Sequence, residues 1–263
     1  MKVFFAVVGK PEESVGILES FGIRNILEAY PRVEKTISKP AVRAYYSQCT
    51  TFIDSGGFSV QQGTSNISID KYLEFLVKNK HLFTHYANLD PISSEETLKN
   101  YRKLQRAGLK PMPVYRQWDY KSATHRELLK EYCETTDYIA VGGIAKVAGR
   151  LIEGCDHYLD YVFQSTTKYK TKVHGFGVST MSLLEKYPYY SIDQTGWYKG
   201  KRWGQTLVFD GIRIKTHRGL KGKDTTTIPM IKANNELVKC PVSDDQKVRY
   251  GIEAYLKMEK ISH

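Results

Sequence analysis

The sequence predicts an α/β protein built as a (β/α)8 TIM-like barrel, a single domain over residues 1–263 with a basic aromatic insert after the seventh strand. Three observations predict it. Short apolar runs alternate with longer segments of helical periodicity, the pattern of parallel strands joined by crossover helices. Most of those runs end in a carboxylate, an amide or glycines, as strands do where they open on a functional mouth. Finally, 263 residues suffice for one such barrel, with a doubly wound open sheet as the alternative.

Taken in order, Lys2 to Val8 is the first strand, followed by a helical piece from Val15 to Tyr30. Thr50 to Ile53 is a β-branched and aromatic run that leads straight into Asp54-Ser55-Gly56-Gly57-Phe58. Ile69 to Asn79 carries Ile69, Tyr72, Leu73, Leu76 and Val77 at helical spacing behind the caps Ser68 and Asp70. Tyr86-Ala87-Asn88-Leu89 leads into Asp90. Ser93 or Ser94 caps a helix from Glu95 to Ala107, which Gly108 stops before the strand Pro111 to Tyr115 and Gln117 beyond it. The unit then repeats: helix His125 to Glu134, strand Tyr138 to Val141 ending at Gly142-Gly143, helix Asp156 to Gln164, strand Lys172 to Gly177. A short helix, Met181 to Lys186, precedes Tyr189 to Ile192 and Asp193. A last strand lies in Thr206 to Phe209 or Gly211 to Ile214, and Gln246 to Glu259 is an amphipathic tail helix.

Composition narrows the class. Hydrophobic content of 41% with 25% charged residues is that of a globular protein. No stretch reaches membrane-span length, and the apolar start is too short for a signal peptide, so the expected location is the cytoplasm, the host's if the gene is a phage's. Cys49, Cys133, Cys155 and Cys240 lie far apart with no Cys-x-x-Cys pair, which predicts free thiols and no bound metal; with no Walker or Rossmann glycine pattern either, no cofactor is expected. Lys and Arg number 39 against 28 Asp and Glu, a net charge of +11 that favours a polyanionic partner. Trp197 to Asp224 alone holds eight Lys and Arg against two Asp. Cations interleaved with Trp197, Tyr198 and Trp203 suit a surface that neutralises phosphates and stacks on bases, with Lys199, Lys201 and Arg202 as the phosphate contacts. A solvated hairpin has the same composition.

An Asp at the end of a strand, followed by Ser55, Gly56 and Gly57, can be a general base, a nucleophile or an acceptor for a ligand's N–H groups, with the glycines allowing close backbone approach. The same residues also make an Asx turn with a glycine corner. Asp90 before Pro91 has a similar double reading, as turn initiator or ligand acceptor. Gly175 and Gly177 suit either a ligand or tight packing, and His174 reads as a core histidine.

In combination the motifs resemble the tRNA-guanine transglycosylase family. Asp54 to Phe58 matches its Asp-Ser-Gly-Gly-Phe sequence, Gly142-Gly143-Ile144-Ala145 its Gly-Gly-(Leu/Ile)-(Ala/Ser) strand end, and Gly175-Phe176-Gly177-Val178 its Gly-Val-Gly-like strand end. Ser191-Ile192-Asp193 is similar to the segment carrying the family's nucleophilic Asp. Order and spacing agree from about residue 50 to 195. The departures are informative as well. The tRNA enzymes carry a Cys-x-Cys-x-x-Cys plus His zinc site near the C-terminus, where this chain has only Cys240. The continuation Gln194-Thr195-Gly196-Trp197 also differs, and the chain is shorter, so it looks more like the phage and bacterial relatives that insert 7-deazaguanine bases into DNA, a modification of the kind that shields phage DNA from restriction.

The resemblance implies roles. Asp193 would attack the anomeric carbon, and Asp54 would relay protons to the leaving guanine and from the incoming deazaguanine. Asp90 would accept from the purine N1–H and exocyclic amine, and Ser55, Gly56, Gln117, Gly142, Gly143 and Gly175 would frame the base. The expected partners are DNA, with tRNA as the alternative, and a free 7-deazaguanine base. A non-catalytic nucleic-acid-binding barrel and a phosphate-sugar barrel enzyme are the other classes. The first would not need both aspartates, and the second would leave the basic aromatic segment without a task.

Overall fold

The computed structural model describes residues 1–57, 60, 66–90, 93–144, 155–178, 180–218, 230–233, 236–239 and 243–261. Eight strands form one parallel sheet: β1 (Lys2–Ala6), β2 (Asn25–Ala29), β3 (Thr50–Asp54), β4 (His85–Tyr86), β5 (Val114–Arg116), β6 (Tyr138–Gly142), β7 (Lys172–Gly175) and β8 (Ser191–Gln194). Their order, β4-β3-β2-β1-β8-β7-β6-β5, leaves β4 and β5 at the two edges. Those edges meet at a parallel bridge between Ala87 and Met112. There the Met112 amide donates to the Tyr86 carbonyl at 2.8 Å and the Asn88 amide to the Met112 carbonyl at 3.0 Å. The Asn88 side chain then extends the ladder, its Oδ1 accepting from the Val114 amide at 2.7 Å. The sheet is therefore curled and surrounded by helices, a TIM-barrel-like α/β fold.

Alternation along the strands separates two apolar layers. Phe4 and Ala6 of β1 belong with Leu27, Phe52, Val114 and Ala140 to a cluster inside the curl. Val3, Phe5 and Val7 belong to the larger cluster beneath the helices. Residues of the inner set that reach the carboxyl ends of the strands point into the mouth, and this is what places the site.

The helices begin and stop where local chemistry says they should. The first two helices after α1 (Pro11–Ser20), α2 (Tyr30–Thr36) and α3 (Pro40–Tyr46), have proline in their opening positions, where its missing N–H costs nothing. In α4 (Ile69–Asn79) the Ser68 side chain accepts from the Asp70 amide at 3.3 Å, and in α5 (Ser94–Arg106) Ser93 accepts from the Glu96 amide at 3.2 Å. Gly108, at φ +72, ends α5 with Leu109 N–H donating to the Leu104 carbonyl and its own N–H to Gln105, a Schellman closure. Further helices are α6 (Gln117–Lys121), α7 (Leu128–Thr135), α8 (Cys155–Tyr169), α9 (Met181–Lys186) and α10 (Lys199–Trp203).

Two expectations are corrected. The stretch from Val15 to Tyr30 is not one helix: Gly22, at φ +66, closes α1 with Ile23 N–H donating to Leu18 and Gly22 N–H to Glu19, and the chain turns into β2. Ser191–Gln194 is consequently the eighth strand, and the basic segment follows the eighth rather than the seventh. Neither 206–209 nor 211–214 adds a strand to the main sheet, because both neighbours of β8 are already taken by β1 and β7. Instead β9 (Gln205–Phe209) pairs antiparallel with β10 (Ile214–Arg218). A second antiparallel pair joins β11 (Met230–Ala233) and β12 (Glu236–Lys239). The tail is α11 (Asp244–Ile261), which buries Val248, Ile252, Tyr255 and Met258 and receives a 3.0 Å hydrogen bond from the Val3 amide on Glu259 Oε1.

Cys49, Cys133 and Cys155 are free, and Cys240 lies outside the described residues. Among the described residues no helix is long and apolar enough to cross a membrane, and no His, Cys, Asp and Glu group could hold a metal ion.

Candidate active site

Asp54 is the last residue of β3, and the turn after it is built by its own side chain. Its Oδ1 accepts from the Gly56 amide at 3.3 Å, and Ser55 Oγ accepts from the Gly57 amide at the same distance. Gly56 adopts φ +82, open only to glycine at low cost. At Gly57 the constraint is space: a Cβ there would lie 2.7 Å from the Asp90 carbonyl oxygen and closer still to its carboxylate. The two glycines thus let this turn close directly onto Asp90. Phe58 lies outside the described residues, as do Pro91 and Ala145.

Asp90 is only 3% exposed and is held from two sides. Ser55 Oγ donates to its Oδ1 at 2.9 Å, and Arg116 Nη2 donates to Oδ2. Arg116, at the end of β5, is itself 7% exposed. Its position is fixed through its backbone, whose amide donates to Asp119 Oδ2 at 2.7 Å, while the Ser94 hydroxyl donates to the other oxygen of Asp119. The guanidinium lies 4.7 Å from the Trp118 ring centre, and its Nε has no hydrogen-bond partner. Burial lowers its pKa to about 10, with Asp54 and Asp119 opposing that effect, so Arg116 stays cationic at neutral pH.

Gln117 follows as the first residue of α6 and is buried. The β6 terminus packs beside these two: a Cβ on Gly142 would sit 3.6 Å from Arg116 Cγ, and one on Gly143, at φ +74, 3.4 Å from the Gln117 amide nitrogen. Only Gly143, through its positive φ, requires glycine here, while a Cβ at Gly142 would make an ordinary contact.

Asp193 stands on β8, in register with Phe4 of β1. Its Oδ1 accepts from the Gly177 amide at 2.8 Å and lies 3.7 Å from His174 Nε2. Across the mouth, Asp54 has its pKa raised to about 6, first by burial and then by the negative charge of Asp193, against the lowering effect of the Gly56 amide and Arg116. A carboxyl group poised near neutrality and a second aspartate facing the same mouth can divide proton-transfer and nucleophilic work.

The structure therefore gathers Asp54, Ser55, Gly56, Asp90, Gln117, Gly142, Gly143 and Asp193 at the carboxyl ends of the strands. Two predicted residues fall elsewhere. Trp197 cannot stack on a base: it is 0% exposed and its Nε1 donates to the Ala6 carbonyl at 2.9 Å, because the chain leaving β8 folds back over β1 under α11. Gly175 faces away from the mouth, where a Cβ would lie 2.7 Å from Val178 Cγ2 and 2.8 Å from Tyr189 Cε1, so its lack of a side chain serves packing. In α10, Lys199 is partly buried with its pKa lowered by burial, Lys201 pairs with Glu13, and Arg202 lies 4.9 Å over the ring of Trp203. Trp203 is 56% exposed, and its ring is available. Residues 219–229 of the basic segment lie outside the described residues.

Sequence reasoning missed Arg116 as the partner of Asp90 and the contacts of Asp193 with the Gly177 amide and His174, residues it had read only for ligand approach, packing or core. A signal for Arg116 existed, since a guanidinium closing an otherwise apolar strand needs a buried anion. At the opposite, amino end of the strands lies a cavity of about 510 Å³ lined by Lys2, His85, Tyr138, Lys172 and Tyr190, remote from these carboxylates. In comparisons with known proteins, no family model matches the chain, and no curated protein matches it.

Proposed function

We propose that the protein is a base-exchange transglycosylase that replaces guanine in DNA with a 7-deazaguanine base, on a closed (β/α)8 barrel forming one domain. The observation that carries this reading is the Asp54 and Asp193 pair at the ends of β3 and β8, one carboxyl near neutrality and the other anchored through Oδ1. In the first half-reaction an Asp193 oxygen bonds to the sugar's anomeric carbon as the glycosidic C–N bond breaks, and the electron pair leaves on the purine, which takes a proton from Asp54. In the second half-reaction the deazaguanine nitrogen gives its proton to Asp54, attacks the same carbon and displaces the Asp193 ester. Two displacements retain the configuration.

Asp90, aligned by Arg116 and Ser55, accepts from the guanine N1–H and exocyclic amine. Gln117 and the Gly142-Gly143 backbone complete the polar frame. A guanine reaches such a mouth only when extruded or single-stranded, and Trp203 with Arg202 offers a stacking and phosphate contact for the displaced strand.

The test is release of radiolabelled guanine from DNA and, separately, from tRNA of matched length in the same salt, with a denaturing gel to trap the covalent adduct. Guanine release from DNA and an adduct that vanishes in Asp193→Asn are expected. Efficient exchange in tRNA with DNA untouched would move the protein to the tRNA enzymes, and release from neither would remove the activity.

A further inference from the structure

Behind Asp193 runs a buried polar chain that the proposed reaction does not use. His174 is 0% exposed and sits beside Ser191 in the register of β7 and β8. Its Nδ1 is 2.6 Å from Ser191 Oγ, and Ser191 Oγ is in turn hydrogen-bonded to the Tyr138 hydroxyl. Three aromatic rings, Phe4, Phe52 and Phe176, wall the imidazole with centroids at 5.8, 4.7 and 4.8 Å and hold its plane, while the Nδ1–Ser191 contact sets which way round it sits, since turning it over would put a carbon against Ser191 Oγ. Its Nε2 has no hydrogen-bond partner and faces Asp193 Oδ1 at 3.7 Å.

We infer that His174 is a positioning residue for Asp193, held by Ser191 and Tyr138 in the tautomer whose Nε2–H faces the carboxylate. The inference rests on reading Asp193 as the nucleophile.

The tautomer follows from donor counting. Burial lowers the pKa of His174, so the ring is neutral and carries one N–H. If that proton were on Nδ1, it would donate to Ser191, and Nε2 would turn a bare lone pair towards a carboxylate oxygen in a water-poor interior, acceptor against acceptor. If it is on Nε2, Tyr138 donates to Ser191, Ser191 donates to Nδ1, and Nε2–H points at Oδ1. Only the second arrangement has a donor in each contact. Oδ1 then faces two N–H groups, from Gly177 and His174, which fixes the carboxylate plane and directs Oδ2 to the sugar. Contacts of this kind are commonly long before substrate binds.

The experiment is a long-range proton–nitrogen correlation spectrum of the full chain labelled with ¹⁵N-histidine at pH 7, with the His174 signals identified by their loss in His174→Gln. A neutral ring protonated on Nε2 is expected, its Nε2 signal moving in Asp193→Asn as the charge it faces disappears. A ring protonated on Nδ1, or an Nε2 signal unmoved in Asp193→Asn, would overturn the inference. In guanine exchange, Ser191→Ala and His174→Leu should lower kcat about 10–100-fold at unchanged KM, as for small misplacements of a reacting group. His174→Gln, which keeps an N–H donor, should recover part of that loss. Unchanged kcat in folded His174→Leu would overturn the role. If no exchange occurs with any nucleic acid, the proposed reaction fails, while the wild-type spectrum and its response to Asp193→Asn still decide the tautomer and its target.

Discussion

In the proposed reaction Asp54 gives a proton in one half-reaction and takes one in the next, and a carboxyl group with its pKa raised to about 6 can do both close to neutrality. Its elevation comes mostly from burial, with Asp193 adding to it. In single-turnover experiments, formation of the glycosyl-enzyme should therefore slow as pH rises above about 6, because Asp54 loses its proton. Transfer to the incoming base should slow as pH falls below that value. Identical pH profiles for the two half-reactions would remove Asp54 from the relay. The carboxyl titration of Asp54, followed by carbon NMR, should move down in Asp193→Asn, where the repelling charge is gone. The same variant should fold normally and lose exchange by about 10³-fold or more, since no other group takes over bond formation to the sugar. Trp197 belongs to stability rather than to binding. Trp197→Ala should cost about 3–5 kcal/mol in denaturant unfolding, the range for large-to-small changes in a packed core, and leave any residual DNA affinity per folded molecule unaltered.

At the scale of elements, the segment after β8 does two jobs that its composition does not separate. Its first part, Gly196 to Tyr198, is buried, with Gly251 of α11 so near that a Cβ would lie 2.9 Å from Trp197 Cα. Its second part, α10, presents Arg202 and Trp203 outward. Trp203→Ala should weaken binding of single-stranded DNA by about 1–3 kcal/mol if its ring stacks on a base. Neutralising Lys199, Lys201 and Arg202 together should weaken binding by the same factor for all sequences and flatten the salt dependence, because phosphate contacts position without specifying. Fluorescence titrations at several salt concentrations measure both, and an unchanged slope would take α10 out of the interface. The two glycine stops show how closely legible and illegible elements can resemble each other. Gly108 follows a clear amphipathic helix and is readable as its end. Gly22 makes the same closure but is followed by Ile23 to Ala29, whose apolar residues fit helix and strand periods alike, so only sheet pairing distinguishes them.

For the whole molecule, a titration with consequences for stability is that of Glu28, 2% exposed on β2. Burial raises its pKa from 4.5 to about 8, with Arg32 opposing, and the Tyr46 hydroxyl donates to its Oε2. A carboxyl group whose folded pKa is raised favours folding fully below the unfolded value, and the contribution is lost as pH climbs from 4.5 through about 8. Each pH step in that window removes about 1.4 kcal/mol, so the whole loss is a few kcal/mol. Glu28→Gln keeps an acceptor for Tyr46 without the charge, so its stability relative to wild type should rise by about 2–4 kcal/mol between pH 5 and pH 9 in urea unfolding. A constant difference across that range would show that Glu28 ionises freely in the folded chain. The alternation of strands and helices and the polar strand ends, Asp54 and Asp193 among them, are legible in the chain as written, because they depend on local period, turn chemistry and residue type; joining the two aspartates as a pair rested on the family resemblance. Packing in three dimensions was needed to bring Arg116 to Asp90, to make Trp197 core and Trp203 surface, and to set His174 behind Asp193. Each of those contacts joins residues from different strands or loops, and their closeness depends on the curl of the sheet, which no local pattern encodes.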